Sequence, residues 1–152
     1  MDAMGRFHDG TAQLTLLEDP PLAFTRKDAS ELAQAKAAIG LGQAVLLRQF
    51  GCDASQLGAY YLAGAFANKI DLDRARRIGL FLPVPDDRVI RIGNASIEGA
   101  KAALLSRGCR DRIEALVRRV EHVQLEKEPD FFELFADMTQ FEAIGQSGCD
   151  SA

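Results

Sequence analysis

Two stretches of this chain put small residues where a strand would turn into a helix. The first is Leu62-Ala63-Gly64-Ala65-Phe66-Ala67-Asn68 and the second is Ile92-Gly93-Asn94-Ala95-Ser96-Ile97-Glu98-Gly99-Ala100. In open α/β sheets, ligands collect outside the carboxyl ends of the strands. Small residues there let a flat base or a phosphate approach the backbone, and the N–H groups that open a helix favour anions. Neither stretch matches the G-x-G-x-x-G or G-x-x-x-x-G-K-[ST] phosphate fingerprints. On the residues alone the plainer alternative stays open: Gly64 and Gly93 are turn glycines, and Gly99 eases helix packing.

Other chemistry-bearing residues read as structural. Cys109, in Arg107-Gly108-Cys109-Arg110, has basic neighbours that favour a thiolate, but no histidine lies nearby in sequence. Asp71 and Asp73 look like a carboxylate pair and are better explained as a helix N-cap and a first-turn acid. His122 reads as an exposed strand residue. A zinc or iron–sulfur site needs about four convergent thiolate or imidazole ligands. Cys52, Cys109, Cys149, His8 and His122 are too few and too widely spaced for one. The odd cysteine count without a C-x-x-C pair fits a reducing, cytoplasmic compartment.

The formal net charge of −4 argues against a nucleic-acid binder dominated by phosphate contacts. Arg74, Arg76 and Arg77 stand beside Asp71 and Asp73, so that cluster reads as a mixed helix surface. No apolar run approaches the roughly 20 residues a membrane span needs. The opening Met1-Asp2-Ala3-Met4-Gly5-Arg6 has no apolar signal region. A length of 152 residues suits one domain with one core.

The elements that must position these residues alternate between strand and helix after residue 25, which predicts a layered α/β arrangement. Gln13–Leu17 reads as a short strand stopped by Asp19-Pro20-Pro21. Thr25 opens a helix with Asp28 three residues on, an approximate capping box. Leu32, Ala35, Ile39 and Leu46 continue it to about Gln49, and Gly51 ends it. Its Ala- and Gly-rich centre, residues 33–44, implies a close-packed neighbour. Residues 57–63 read as a buried strand. Asp71 caps a helix through about Ile78, ended by Gly79. Val89–Ile92 is a second short strand, and Asn94 caps a helix over 95–106 closed by Gly108. An amphipathic helix over 110–120, a third strand over 122–125 and a short helix from Pro129-Asp130 follow. The phenylalanines at 131, 132 and 135 read as a terminal helix docked on the core, with a protein interface as the sharper alternative. The domain is expected over residues 1–141, with a disordered tail over 142–152.

Several segments taken together carry a family resemblance. They are Phe24-Thr25-Arg26-Lys27-Asp28 with Gln34-Ala35-Lys36-Ala37-Ala38-Ile39, then Tyr61–Phe66 with Asn68 and Ile70-Asp71. Arg77-Ile78-Gly79-Leu80, Gly93-Asn94-Ala95 and Pro129-Asp130-Phe131 with Met138 complete the set. In this order they resemble the C-terminal part of the activators that reductively reactivate corrinoid proteins, within the actin/Hsp70/sugar-kinase ATPase superfamily. The resemblance covers about residues 1–141, and no single segment is specific by itself. It implies a partial actin/Hsp70/sugar-kinase-like α/β subdomain with a short-stranded sheet packed by helices. It also implies ATP with magnesium as cofactor, and a corrinoid protein of a methyltransferase system as partner.

On that resemblance Gly64, Ala65, Phe66 and Asn68 would line the adenine side, with Gly93 and Asn94 at the start of the closing helix. Lys36 would reach a ribose or base from the nucleotide-side helix; the bland alternative is a solvated lysine. Ala67 stands where relatives tend to have Gly, which predicts strain if the position needs a positive φ. The family's phosphate loops and its ferredoxin-type iron–sulfur domain lie upstream of the region this chain matches. Met1–Gly10 look like the middle of the family's sequence, which reads as a piece of a longer gene. The expectation is therefore the adenosine-side portion of an ATP-dependent activator, incomplete in catalysis, with weak or absent nucleotide binding. The alternative is an interaction module or gene remnant that binds no nucleotide. An open sheet edge would invite self-association.

Overall fold

The computed structural model describes residues 13–144. Its elements are β1 (Gln13–Leu17), β2 (Leu22–Thr25), α1 (Arg26–Phe50), β3 (Tyr60–Ala63), α2 (Leu72–Arg77), β4 (Val89–Gly93), α3 (Ala95–Leu105), α4 (Arg107–Val117) and α5 (Phe131–Met138). They form a mixed α/β structure with two small two-stranded sheets, β1–β2 and β3–β4. The chain divides into two compact units. Among the described residues, one comprises those up to Ala54, Asp71–Pro83 and those from Leu125 on; the other comprises Ser55–Ile70 and Val84–Gln124.

The first unit is built around α1. β1 and β2 form an antiparallel hairpin pairing Leu14 with Phe24 and Gln13 with Thr25. The sequence pattern missed β2, because a four-residue strand between Pro21 and a helix cap shows no alternation of its own. Thr25 then caps α1: its Oγ1 accepts from the Asp28 N–H at 3.2 Å, and Asp28 Oδ2 accepts from the Thr25 N–H at 2.8 Å. This reciprocal box satisfies two orphan donors at the start of the helix. Hydrogen bonds from Thr25 hold the Asp28 carboxyl below its usual range. Gly51 closes the helix at φ +70, the left-handed cap.

Along α1 the residues Ala29, Lys36, Ala37, Gly40, Leu41 and Val45 form one buried face. Gly40 lets Met138 and the Gly79 carbonyl approach; a Cβ there would stand 3.1 Å from Met138 Sδ. Gln43 binds the chain after α2, donating to the Leu80 carbonyl at 3.0 Å and accepting from the Leu82 N–H at 3.3 Å. Arg48 pairs with Glu128 and with Asp130, each at 2.6 Å. α5 turns Phe131, Leu134, Phe135 and Met138 inward at helical spacing and leaves Phe132 exposed. The docked-helix reading of the phenylalanines therefore holds for all but Phe132.

The second unit holds the parallel pair β3–β4, with Tyr60 opposite Val89, Leu62 opposite Arg91 and Ala63 opposite Gly93. Asn94 caps α3 by accepting from the Ile97 N–H at 3.1 Å. Ser106 both ends α3 and caps α4, accepting from the Cys109 N–H at 3.3 Å.

Three expectations are corrected. The segment 57–63 is not a buried strand: only Tyr60–Ala63 is extended and only Leu62 is buried, because the strand has a single partner. Gly108 does not close α3. It lies inside α4, since the serine hydroxyl makes the boundary two residues earlier. Residues 122–125 form no strand. No ladder partner faces them among the described residues, and Leu125 enters a 3₁₀ turn over Leu125–Lys127. Of the segment expected as a tail over 142–152, residues 142–144 are described, and Glu142 and Ile144 lie against Gly79 and Gly40. From 145 onward it falls outside the described residues, as does the irregular lead-in over 1–10.

Candidate functional site

The two Gly turns meet at the carboxyl ends of β3 and β4. The register sets Ala63 beside Gly93, and the Gly64 N–H donates to the Gly93 carbonyl at 2.6 Å. Gly64 has φ +96 and Gly93 φ +61, torsions at which an L side chain is strained. A Cβ on either would meet no heavy atom within 4 Å beyond its chain neighbours. Torsion rather than packing demands glycine at both places, and the space in front of their backbones is open.

After Gly64, residues Phe66–Asn68 form a 3₁₀ turn. Ala65 and Asn68 are exposed, and the Phe66 side chain is 72% exposed, a large apolar surface at the lip of the turn. After Gly93, the capped N-terminus of α3 brings the positive end of its dipole to the same end of the strand pair. Beneath the turn, Arg91 on β4 donates through Nη1 to the Ala67 carbonyl and through Nη2 to the Ile70 carbonyl at 2.9 Å. Sequence reasoning missed this brace. Its one signal is a lone arginine in the apolar run Val89-Ile90-Arg91-Ile92.

Ala67 is not strained. It is buried in the turn, and no residue other than glycine has a positive φ among the described residues. A methyl group fits where the chain is already helical, so the alanine packs the turn from below.

Gly64, Ala65, Phe66, Asn68, Gly93 and Asn94 thus come together in one unit. Lys36 belongs to the other, and it is no solvated lysine. It is 1% exposed, and its Nζ donates to the Met138 carbonyl at 2.5 Å, 5.8 Å from the Phe141 ring centre. Burial pushes its pKa below the usual lysine value, and nearby Glu142 opposes the shift.

Asp71 is the N-cap of α2, accepting from the Arg74 N–H at 3.0 Å, and exposed Asp73 pairs with Arg76 at 3.3 Å. Cys109 lines an open hollow of about 200 Å³ with Ala102, Arg112, Ile113 and Leu116. Hydrogen bonds with Ser106 and from Arg112 Nη2 hold its thiol pKa down. No histidine or carboxylate joins it in that lining. Among the described residues no group of three or more His, Cys, Asp or Glu is placed to hold a metal ion, and no helix is long and apolar enough to cross a membrane.

The family model for the C-terminal domain of RACo, the ASKHA domain, matches residues 7–150. The chain belongs to that family. Among curated proteins it is similar to a corrinoid activation enzyme, RamQ, of Eubacterium limosum, at 35% identity over 82% of this chain and 21% of the relative. It is also similar to a [Co(II) methylated amine-specific corrinoid protein] reductase of Methanosarcina barkeri, at 26% identity over 69% of this chain and 19% of that protein. Among solved structures, a reductive activator for corrinoid, iron–sulfur protein superposes with a TM-score of 0.77 at 23% identity. That match covers 91% of this chain and 23% of the other, and together with the family model it shows an ASKHA-type fold. The chain spans about a fifth of the length of the curated relatives it matches.

Proposed function

We propose that this RACo-type domain supplies the adenosine-side turn of an ATP-dependent activator of a corrinoid protein in a methyltransferase system. The observation that carries this is the bonded pair of open glycine turns, Gly64 N–H to Gly93 O, at the carboxyl ends of parallel strands. A flat adenine fits such a surface: bare backbone at Gly64, Ala65 and Gly93, the exposed Phe66 ring, and the amides of Asn68 and Asn94 for polar edges. Glu98, the one carboxylate in the two stretches, pairs with Lys101 at 2.7 Å, and phosphate and metal chemistry would come from other sequence. The curated relatives, named as a corrinoid activation enzyme and a corrinoid protein reductase, support the corrinoid protein as the partner.

The test is an NMR titration of the ¹⁵N-labelled chain with ATP–Mg²⁺, followed by an assay for released phosphate. The expected result is amide shifts confined to residues 64–68 and 93–97, weak binding with a Kd of about 1 mM, and no hydrolysis above background. Shifts centred elsewhere sink the adenosine reading. Tight binding with turnover sinks the reading of an incomplete site. A second reading, a non-catalytic interaction module, is favoured by the exposed apolar residues of α3 and α4. A titration with no shifts at all would select it.

A further inference from the structure

Three features of the first unit are shaped around one segment, residues 138–144. Lys36 and Gly40 lie one turn apart on the buried face of α1. The Lys36 ammonium donates to the Met138 carbonyl and faces the Phe141 ring. At Gly40 a Cβ would stand 3.1 Å from Met138 Sδ and 3.6 Å from Ile144 Cδ1. Gly79, with φ +74, comes from another part of the chain. A Cβ on it would overlap the Glu142 carbonyl oxygen and stand 3.2 Å from Lys36 Nζ.

Lysine is almost never fully buried without partners. Here its partners all come from this one segment: a carbonyl, an aromatic face and the Glu142 charge. Beyond the last turn of α5 the segment belongs to no helix or strand. The cradle, rather than a backbone ladder, holds it, and such segments open at low cost.

We propose that residues 138–144 are a strap seated in a cradle of Lys36, Gly40 and Gly79, and that the strap governs access to the Lys36 amine. Seated, it occludes the ammonium and engages it internally. Lifted, it frees the ammonium for an acceptor oxygen on a ligand. Strap seating and a Lys36–ligand contact therefore exclude one another.

The test needs no nucleotide, so its outcome is independent of the adenosine reading. The full chain is acylated with N-hydroxysuccinimidyl acetate, and each lysine is followed by mass spectrometry beside hydrogen exchange of residues 138–144. Lys36 is expected to label at least ~10-fold more slowly than Lys27 and Lys101, which are exposed. Gly79→Ala is expected to bring Lys36 to within about 3-fold of them and to accelerate exchange in the strap, with α1 exchange unchanged. Gly40→Ala meets Met138 Sδ at 3.1 Å and the Gly79 carbonyl at 3.4 Å, milder contacts than the overlap at Gly79, so it should act in the same direction by a smaller factor. It serves as the reporter if Gly79→Ala unfolds the unit. Wild-type Lys36 labelling as fast as Lys101 would overturn the proposal. So would both variants leaving Lys36 and the strap as slow as in the wild type.

Discussion

Around α1, the apolar side chains of Ala37, Leu41 and Val45 are at most 1% exposed, whereas on α3 Leu104 and Leu105 are 79% and 87% exposed. The two units use apolar residues differently. The first has a 25-residue helix with α5, Leu80 and Leu82 to cover it, so one stripe becomes a core. The second has strands of four and five residues and two 11-residue helices, and keeps only Leu62, Ala67 and Val84 buried. The second unit nevertheless carries the candidate site. Its precision comes from two glycine torsions, one backbone N–H···O bond and the Arg91 side chain that braces two backbone carbonyls. A site made this way needs little core of its own, and a unit with little core opens easily.

Core truncation should separate the units most widely. Leu41→Ala should cost about 3 kcal/mol in urea unfolding, and Leu62→Ala about 2 kcal/mol, because a thinly covered site collapses more readily around the gap. Slow hydrogen exchange should concentrate in α1 and α5. Slower exchange in β3 and β4, or the reverse order of the two costs, breaks the comparison.

The turns should respond through torsion. Gly64→Ala and Gly93→Ala should each cost about 1 kcal/mol, since a left-handed residue is strained even where space is open. Ala67→Gly should also destabilise, by roughly 0.5–1 kcal/mol, because the position is helical. A stabilising Ala67→Gly, measured by thermal unfolding, would restore the strained-alanine expectation.

Lys36 sharpens the contrast through pH. Its folded pKa lies below the usual 10.5 of lysine. As pH rises from that lowered value towards 10.5, the unfolded chain binds more protons than the folded one, so folding is favoured. The difference between wild type and Lys36→Met, followed by urea midpoints over this alkaline window, should show stability rising in the wild type only. A flat or falling difference contradicts a desolvated Lys36.

The smallest effect belongs to the exposed leucines. Leu104→Ser and Leu105→Ser should change stability by no more than about 0.5 kcal/mol while lowering binding of an apolar-surface dye. A loss as large as that of Leu62→Ala would show that these leucines are buried in solution.

Much of this was legible in the sequence where the signal is local. Thr25 with Asp28, Gly51, Asp71 and Asn94 set helix boundaries through bonds that span three or four residues, so their types announce them. The two strand–turn–helix stretches were legible for the same reason, because positive φ selects glycine whatever surrounds it. Residues 122–125 misled because alternation states a preference, and only a neighbouring strand can realise it. Ala67 misled because a family habit was read as a torsional demand.

By itself, then, the sequence determined the caps, the glycine turns and the family's order of segments, all set by chain-local geometry. Tertiary structure alone decided that Gly64 and Gly93 are bonded to one another, that Arg91 props the turn, and that Lys36 is enclosed by residues 138–144. Those contacts join residues far apart in the chain, and whether a lysine is solvated or enclosed depends on what folds back over it.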